Sequence, residues 1–164
     1  MPFVMFHSYF PELAEQETRS FTVFDDSQLP AGSYGLIESY CDEPGCDCRR
    51  VFLSVFSSRS KQFEAVIGYG WESEEFYAQW LTDPDPNMVR EMQGPSLNPL
   101  SHQSRQASTI LKMVRDVVLQ DAAYVERLKA HYWMLRDQID GQPKGRGKKR
   151  EKKRRKKTRR KRRR

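Results

Sequence analysis

The last 24 residues of this 164-residue chain, 141–164, hold 17 Lys/Arg, one acid (Glu151) and, after Pro143, no apolar side chain. With no apolar surface to bury, nothing offsets the entropy lost on ordering such a segment, so it is expected to be disordered when free. Setting it aside reverses the sign of the remainder. Twelve Lys/Arg face 21 Asp/Glu in residues 1–140, a charge of −9 beside a tail of +16, and the formal net charge of +7 describes neither part. The chain therefore reads as an acidic domain, 1–140, followed by a basic appendage, 141–164.

A domain of that length can bury roughly two thirds of its unfolded surface, enough for one core. No stretch reaches the roughly 20 apolar residues that cross a bilayer, and Met1 to Phe10 lack a basic start followed by an apolar run. The expected location is cytoplasmic, or nuclear in a eukaryotic host. Strands are expected at Arg19 to Phe24, Tyr34 to Tyr40, Val51 to Ser57 and Phe63 to Tyr69, where Val, Ile, Phe and Tyr gather in short runs. Short connections between the last three favour an antiparallel meander.

Helical signals punctuate and follow this sheet. Pro11 to Glu17 suggests a short helix or turn, and Asp25 to Ser33 a loop. Ser73 precedes Glu74 and Glu75 as an N-cap precedes a first turn, so Ser73 to Leu81 is read as a helix. Residues 82–101 contain Pro84, Pro86, Pro95 and Pro99 and are read as a connector with one helical turn near Met88 to Met92. From Gln103 the period becomes 3.6: Ala107, Ile110, Leu111, Val114, Val117 and Val118 form one stripe, and Tyr124, Leu128, His131 or Tyr132, Leu135 and Ile139 a second. The expected class is α+β, a small antiparallel sheet of about four strands covered by a C-terminal helical hairpin.

The sharpest chemical signal is Tyr-Cys-Asp-Glu-Pro-Gly-Cys-Asp-Cys-Arg-Arg at 40–50, which places Cys41, Cys46 and Cys48 at C-x4-C-x-C between two strands. Pro44-Gly45 suits the centre of a type II turn, because proline fixes φ near −65° and glycine accepts positive φ. That turn folds Cys46 back towards Cys41. Three thiolates so gathered suit one zinc ion at about 2.3 Å per Zn–S bond, with Arg49 and Arg50 offsetting their charge. A fourth ligand would come from His102, His131, His7, or a carboxylate such as Asp42 or Asp47; an open fourth position would instead suit a metal-dependent hydrolase using Glu38 or Asp47 as its acid. Free thiols in a turn, or a thiol-based redox sensor, are the remaining readings.

Other candidates read as structural. His131 lies on the apolar stripe of the last helix, where a packed, hydrogen-bonded imidazole is the commoner outcome. Glu72, Glu74 and Glu75 are explained by a helix N-terminus, and the Gly-Tyr-Gly triplet at 68–70 lacks the length and helix context of a phosphate loop. In the tail, the cations Lys148, Lys149, Arg150, Lys152, Lys153, Arg154, Arg155, Lys156, Lys157, Arg159, Arg160, Lys161, Arg162, Arg163 and Arg164 suit phosphates, with counterion release making binding salt-dependent and sequence-tolerant. Nucleic acid, RNA or the ribosome foremost, is the favoured partner. A nuclear localisation signal, anionic lipid and the acidic body are its competitors.

The strings at 11–19, 29–55 and 97–104 (PELAEQETR, LPAGSYGLIESYCDEPGCDCRRVFLSV and LNPLSHQS) resemble an uncharacterised, mainly bacterial family with a YC-x4-CDCRRV segment ahead of a helical second half. The resemblance spans roughly 8–140. It implies a small α+β domain of unknown activity, with Cys41, Cys46 and Cys48 as metal ligands and no catalytic residue carried over. Some members carry a SecA-type zinc motif at the C-terminus; here the residues after Asp140 contain no cysteine. The function expected from sequence is a zinc-stabilised adaptor whose body meets a protein partner and whose tail meets nucleic acid.

Overall fold

A computed structural model describes residues 3–24, 28–82 and 84–141. The elements run β1 (Phe3–Met5), a 3-10 turn (Phe6–Ser8), α1 (Pro11–Glu17), β2 (Ser20–Val23), β3 (Gly32–Cys41), β4 (Arg50–Ser57) and β5 (Phe63–Gly70). There follow α2 (Glu74–Trp80), α3 (Pro86–Gln93), β6 (Ser96–Leu97), α4 (Ala107–Asp116), a 3-10 turn (Val118–Gln120) and α5 (Ala122–Asp140). The class is α+β, and all strand pairs are antiparallel.

The central order is β3-β4-β5, the meander that the short connections favour. The outer edge of the ten-residue β3 is shared, β2 pairing with residues 32–35 and β1 with 39–41. On the far side, β6 pairs with Ile67 and Gly68 of β5. The described residues form six strands where about four are expected: β1 and β6, at three and two residues, are too short to show alternation. Beyond β6 the side chain of Gln103 continues the edge, its Oε1 accepting from the Val66 N–H at 3.1 Å and its Nε2 donating to the Val66 carbonyl at 3.1 Å. Helix α4 consequently starts at Ala107, later than the periodicity alone suggests, and Val117, expected on its buried stripe, is exposed because the helix ends at Asp116 and the chain turns there.

Alternation sorts the sheet into two faces. Tyr34, Leu36, Glu38 and Tyr40 of β3, Val51, Leu53 and Val55 of β4, and Ala65 and Ile67 of β5 point to the core, which Ile110, Val114, Val118, Tyr124, Leu128, Tyr132 and Leu135 close from above. Glu38 is the one acid in that inward row. The opposite face carries Arg50, Phe52 and Ser54, with α2 and α3 against its end through Tyr77, Val89 and Met92.

Local signals act as read. Ser73 Oγ accepts from the Phe76 N–H at 3.3 Å as the cap of α2, and Asp85 caps α3 by accepting from the Asn87 N–H at 2.7 Å, ahead of Pro86. That cap extends the single turn expected there to eight residues. Gly94, at φ 64°, must be glycine, since a Cβ would strike the Gly68 carbonyl oxygen. Among the described residues no helix is long and apolar enough to cross a membrane.

Candidate metal centre

Cys41 ends β3, Cys46 and Cys48 lie in the loop to β4, and the three sulfur atoms all lie within 4.8 Å of one another. The turn that makes this possible is the one its sequence dictates: the Cys46 N–H donates to the Glu43 carbonyl at 3.1 Å, and Gly45 adopts φ 76°. Cys41 and Cys48 are fully buried and Cys46 partly so. Burial pushes the thiols of both Cys41 and Cys48 up, and the neighbouring Cys46 adds to the rise. Without a cation the buried pair are therefore protonated thiols, poor nucleophiles at neutral pH. Gathered soft donors of this kind could hold a metal ion.

Helix α5 grips the loop. Buried Arg136 donates from Nη1 to the carbonyls of Glu43 (2.9 Å) and Cys46 (3.0 Å), and from Nη2 to that of Cys41 (2.5 Å). One turn on, Asp140 accepts from the Gly45 N–H at 2.8 Å. One guanidinium thus fixes the backbone of two of the three cysteines and brings a positive charge beside the sulfurs. Arg136 escapes sequence reasoning, although a charged residue sharing a helical face with Tyr132 and Leu135 is the available signal.

Of the arginines expected to offset the thiolates, Arg50 does interact with Cys48 through its charge, but both guanidinium groups make their direct contacts elsewhere. Arg49 adopts φ 44° and pairs with Asp47 (2.9 Å) and Glu72 (3.2 Å). The Arg50 side chain crosses to the far face of the sheet, donating to the Glu91 carbonyl at 3.1 Å, while its backbone N–H bonds the Cys48 sulfur.

Of the residues considered for a fourth vertex, His7 and His102 are exposed and lie outside the three-sulfur group, and both Asp47 oxygens are held by Arg49. Asp42 also lies outside that group, although it directly follows Cys41 and its Oδ1 is buried with no hydrogen-bond partner. His131 is committed to a second cluster. Its Nδ1 lies 2.7 Å from Glu38 Oε2, its Nε2 lies 2.9 Å from Glu17 Oε2, and the Phe6 ring stacks on it at 4.1 Å. The packed reading of this histidine is the one observed. Glu38 also accepts from the Tyr40 hydroxyl at 2.7 Å, so it is engaged away from the sulfurs. Burial lowers the proton affinity of His131, but the hydrogen bonds and charges of Glu38 and then Glu17 outweigh it, leaving the net shift upward.

The acidic, aromatic segment after β5 is structural. Glu74 and Glu75 occupy the first turn of α2, and Tyr77 is core, its hydroxyl donating to the Arg49 carbonyl at 2.9 Å. The tail cations Lys148 to Arg164 lie outside the described residues. No family model matches the chain, and no curated protein or solved structure matches it.

Proposed function

We propose that this protein is a zinc-stabilised, non-enzymatic binding protein whose folded body serves as an adaptor and whose basic tail associates with nucleic acid, RNA or the ribosome foremost. The observation that carries the metal half is the approach of three sulfurs to within 4.8 Å of one another. An all-thiolate set donates charge to zinc and weakens it as a Lewis acid, which favours scaffolding over hydrolysis. Among the fourth-ligand candidates, Asp42 alone carries an orphaned buried oxygen, which coordination would satisfy once its side chain turned towards the sulfurs. The binding half rests on the 17 cations of 141–164.

Metal analysis of purified protein is expected to give one equivalent of zinc, lost in the Cys41→Ser, Cys46→Ser and Cys48→Ser variants and retained less tightly in Asp42→Asn. Substoichiometric zinc unaffected by the cysteine substitutions refutes the metal centre. For the tail, RNA retention by the full chain is expected to fall steeply between 50 and 200 mM salt, with a chain ending at residue 141 retaining almost none. Equal retention by both chains refutes it.

A further inference from the structure

The face of the sheet turned away from α4 and α5 holds a cleft of about 530 Å³, between β4 and β5 on its floor and α3 and the 96–101 loop on its wall. Its lining is largely apolar: Phe3 and Phe52, whose rings meet at 4.5 Å, with Met88, Met92, Leu97 and Leu100 around them. Leu100 is 94% exposed and Met88 48%, so large apolar side chains stand open at its mouth. One lining residue is out of keeping with this. Arg50 is only 8% exposed, yet no carboxylate of the described residues lies within ion-pair distance of its guanidinium. Glu91 lines the same cleft but meets Arg50 through its backbone carbonyl, and the remaining contacts are the Met92 sulfur at 3.1 Å and the face of Phe52 at 5.4 Å. The Nε is buried with no partner.

The placement is built into the sequence. A Cβ at Gly68 would lie 2.8 Å from Arg50 Nη2 and 3.0 Å from Phe52 Cε1, so glycine there opens the space in which the guanidinium lies across β5. Burying a cation with no direct ion-pair partner is costly even with Cys48, Tyr77 and Glu91 at longer range, and a planar donor fork in a desolvated site recognises a carboxylate better than any other common anion except phosphate. The cleft volume lies in the range that small molecules occupy, and its apolar wall favours a hydrocarbon body over a phosphate ester. We propose that this cleft binds a small apolar monocarboxylate, its carboxylate paired with Arg50 and its hydrocarbon body against Phe3, Phe52 and Leu97.

The test uses full-length protein in 0.3 M NaCl, which weakens non-specific attraction of the carboxylate to the cations of 141–164. Octanoate and its neutral isostere octanamide are titrated by calorimetry and by amide chemical-shift mapping. Octanoate is expected to bind at least tenfold more tightly than octanamide, with shifts concentrated at Phe52, Gly68 and Leu97. Arg50→Met is expected to abolish the difference. Should that variant fail to fold, Leu100→Glu changes a fully solvated rim position instead and is expected to weaken octanoate several-fold while leaving octanamide unchanged. Equal affinities for the two probes, no binding of either, or shifts that map elsewhere each overturn the proposal.

Discussion

Replacing His131 tests how the core tolerates charge. With Glu17 and Glu38 ionised, both ring nitrogens face carboxylate oxygens at 2.9 and 2.7 Å, an arrangement that only the doubly protonated ring satisfies with two donors. The side chains of His131 and Glu38 are 3% and 5% exposed, whereas that of Glu17 is 37% exposed. Removing one member of a buried pair costs about 3–5 kcal/mol, because the survivor stays buried and uncompensated; a pair with a half-exposed partner contributes about 0–1 kcal/mol. Glu17→Gln should therefore be nearly silent and His131→Gln severe. With an m-value of about 2 kcal/mol/M, the latter lowers the urea midpoint by roughly 1.5–2.5 M.

The pH dependence has a definite sign. The folded-state pKa of His131 is raised, so its stabilisation is complete below the unfolded value near 6.5 and fades as pH rises through the folded value. A double-mutant cycle on His131→Gln and Glu38→Gln, by urea unfolding, should give a coupling of about 2–3 kcal/mol at pH 6 and a smaller one at pH 9. A coupling under about 0.5 kcal/mol, or one equal at the two pH values, refutes the reasoning.

Arg136→Met removes three carbonyl contacts from the cysteine loop and should lower zinc affinity about 10- to 100-fold in competition with a chromophoric chelator. Gly70→Ala sets a methyl group against the Tyr77 hydroxyl and 2.8 Å from the Met92 carbonyl oxygen, and overpacking of that kind should cost about 1–3 kcal/mol in a urea titration. Lys61, at φ 59° in the β4–β5 turn, should gain up to about 1 kcal/mol on replacement by glycine, read as a rise in Tm. Chelation of the metal should lower the unfolding midpoint of the native chain and leave a triple Cys→Ser variant unchanged.

Much of the architecture is written locally. The alternation from Tyr34 to Tyr40, the Ser73 cap and the 3.6 period after Ala107 need only neighbours in sequence, and Pro44-Gly45 brings the cysteines together within eight residues. What escapes such reading is set by distant pairing. Glu38 and His131 are 93 residues apart, and Arg136 and Cys41 are 95 apart, so nothing near either residue announces its partner. Gln103 misleads for the same reason: it continues a helical pattern in sequence, yet its amide is worth more against Val66 than in a first turn. Arg50 does carry a local cue, since it alternates with Val51 onto the same face as Phe52. The space it needs, however, is provided by a missing side chain on the next strand.

The Gln103 amide reaches beyond the strand it touches. Both polar groups of Val66 along the outermost ladder are already spoken for by a primary amide, and at the opposite border two short N-terminal segments divide β3 between them. Neither rim of the sheet therefore offers a long bare row of donors and acceptors to an extended chain from outside. Strand-for-strand recruitment of another polypeptide is thus disfavoured. Gln103→Leu would open only the Val66 N–H, because the Val66 carbonyl also accepts from the Asn98 N–H at 2.8 Å, so even that change exposes a single donor.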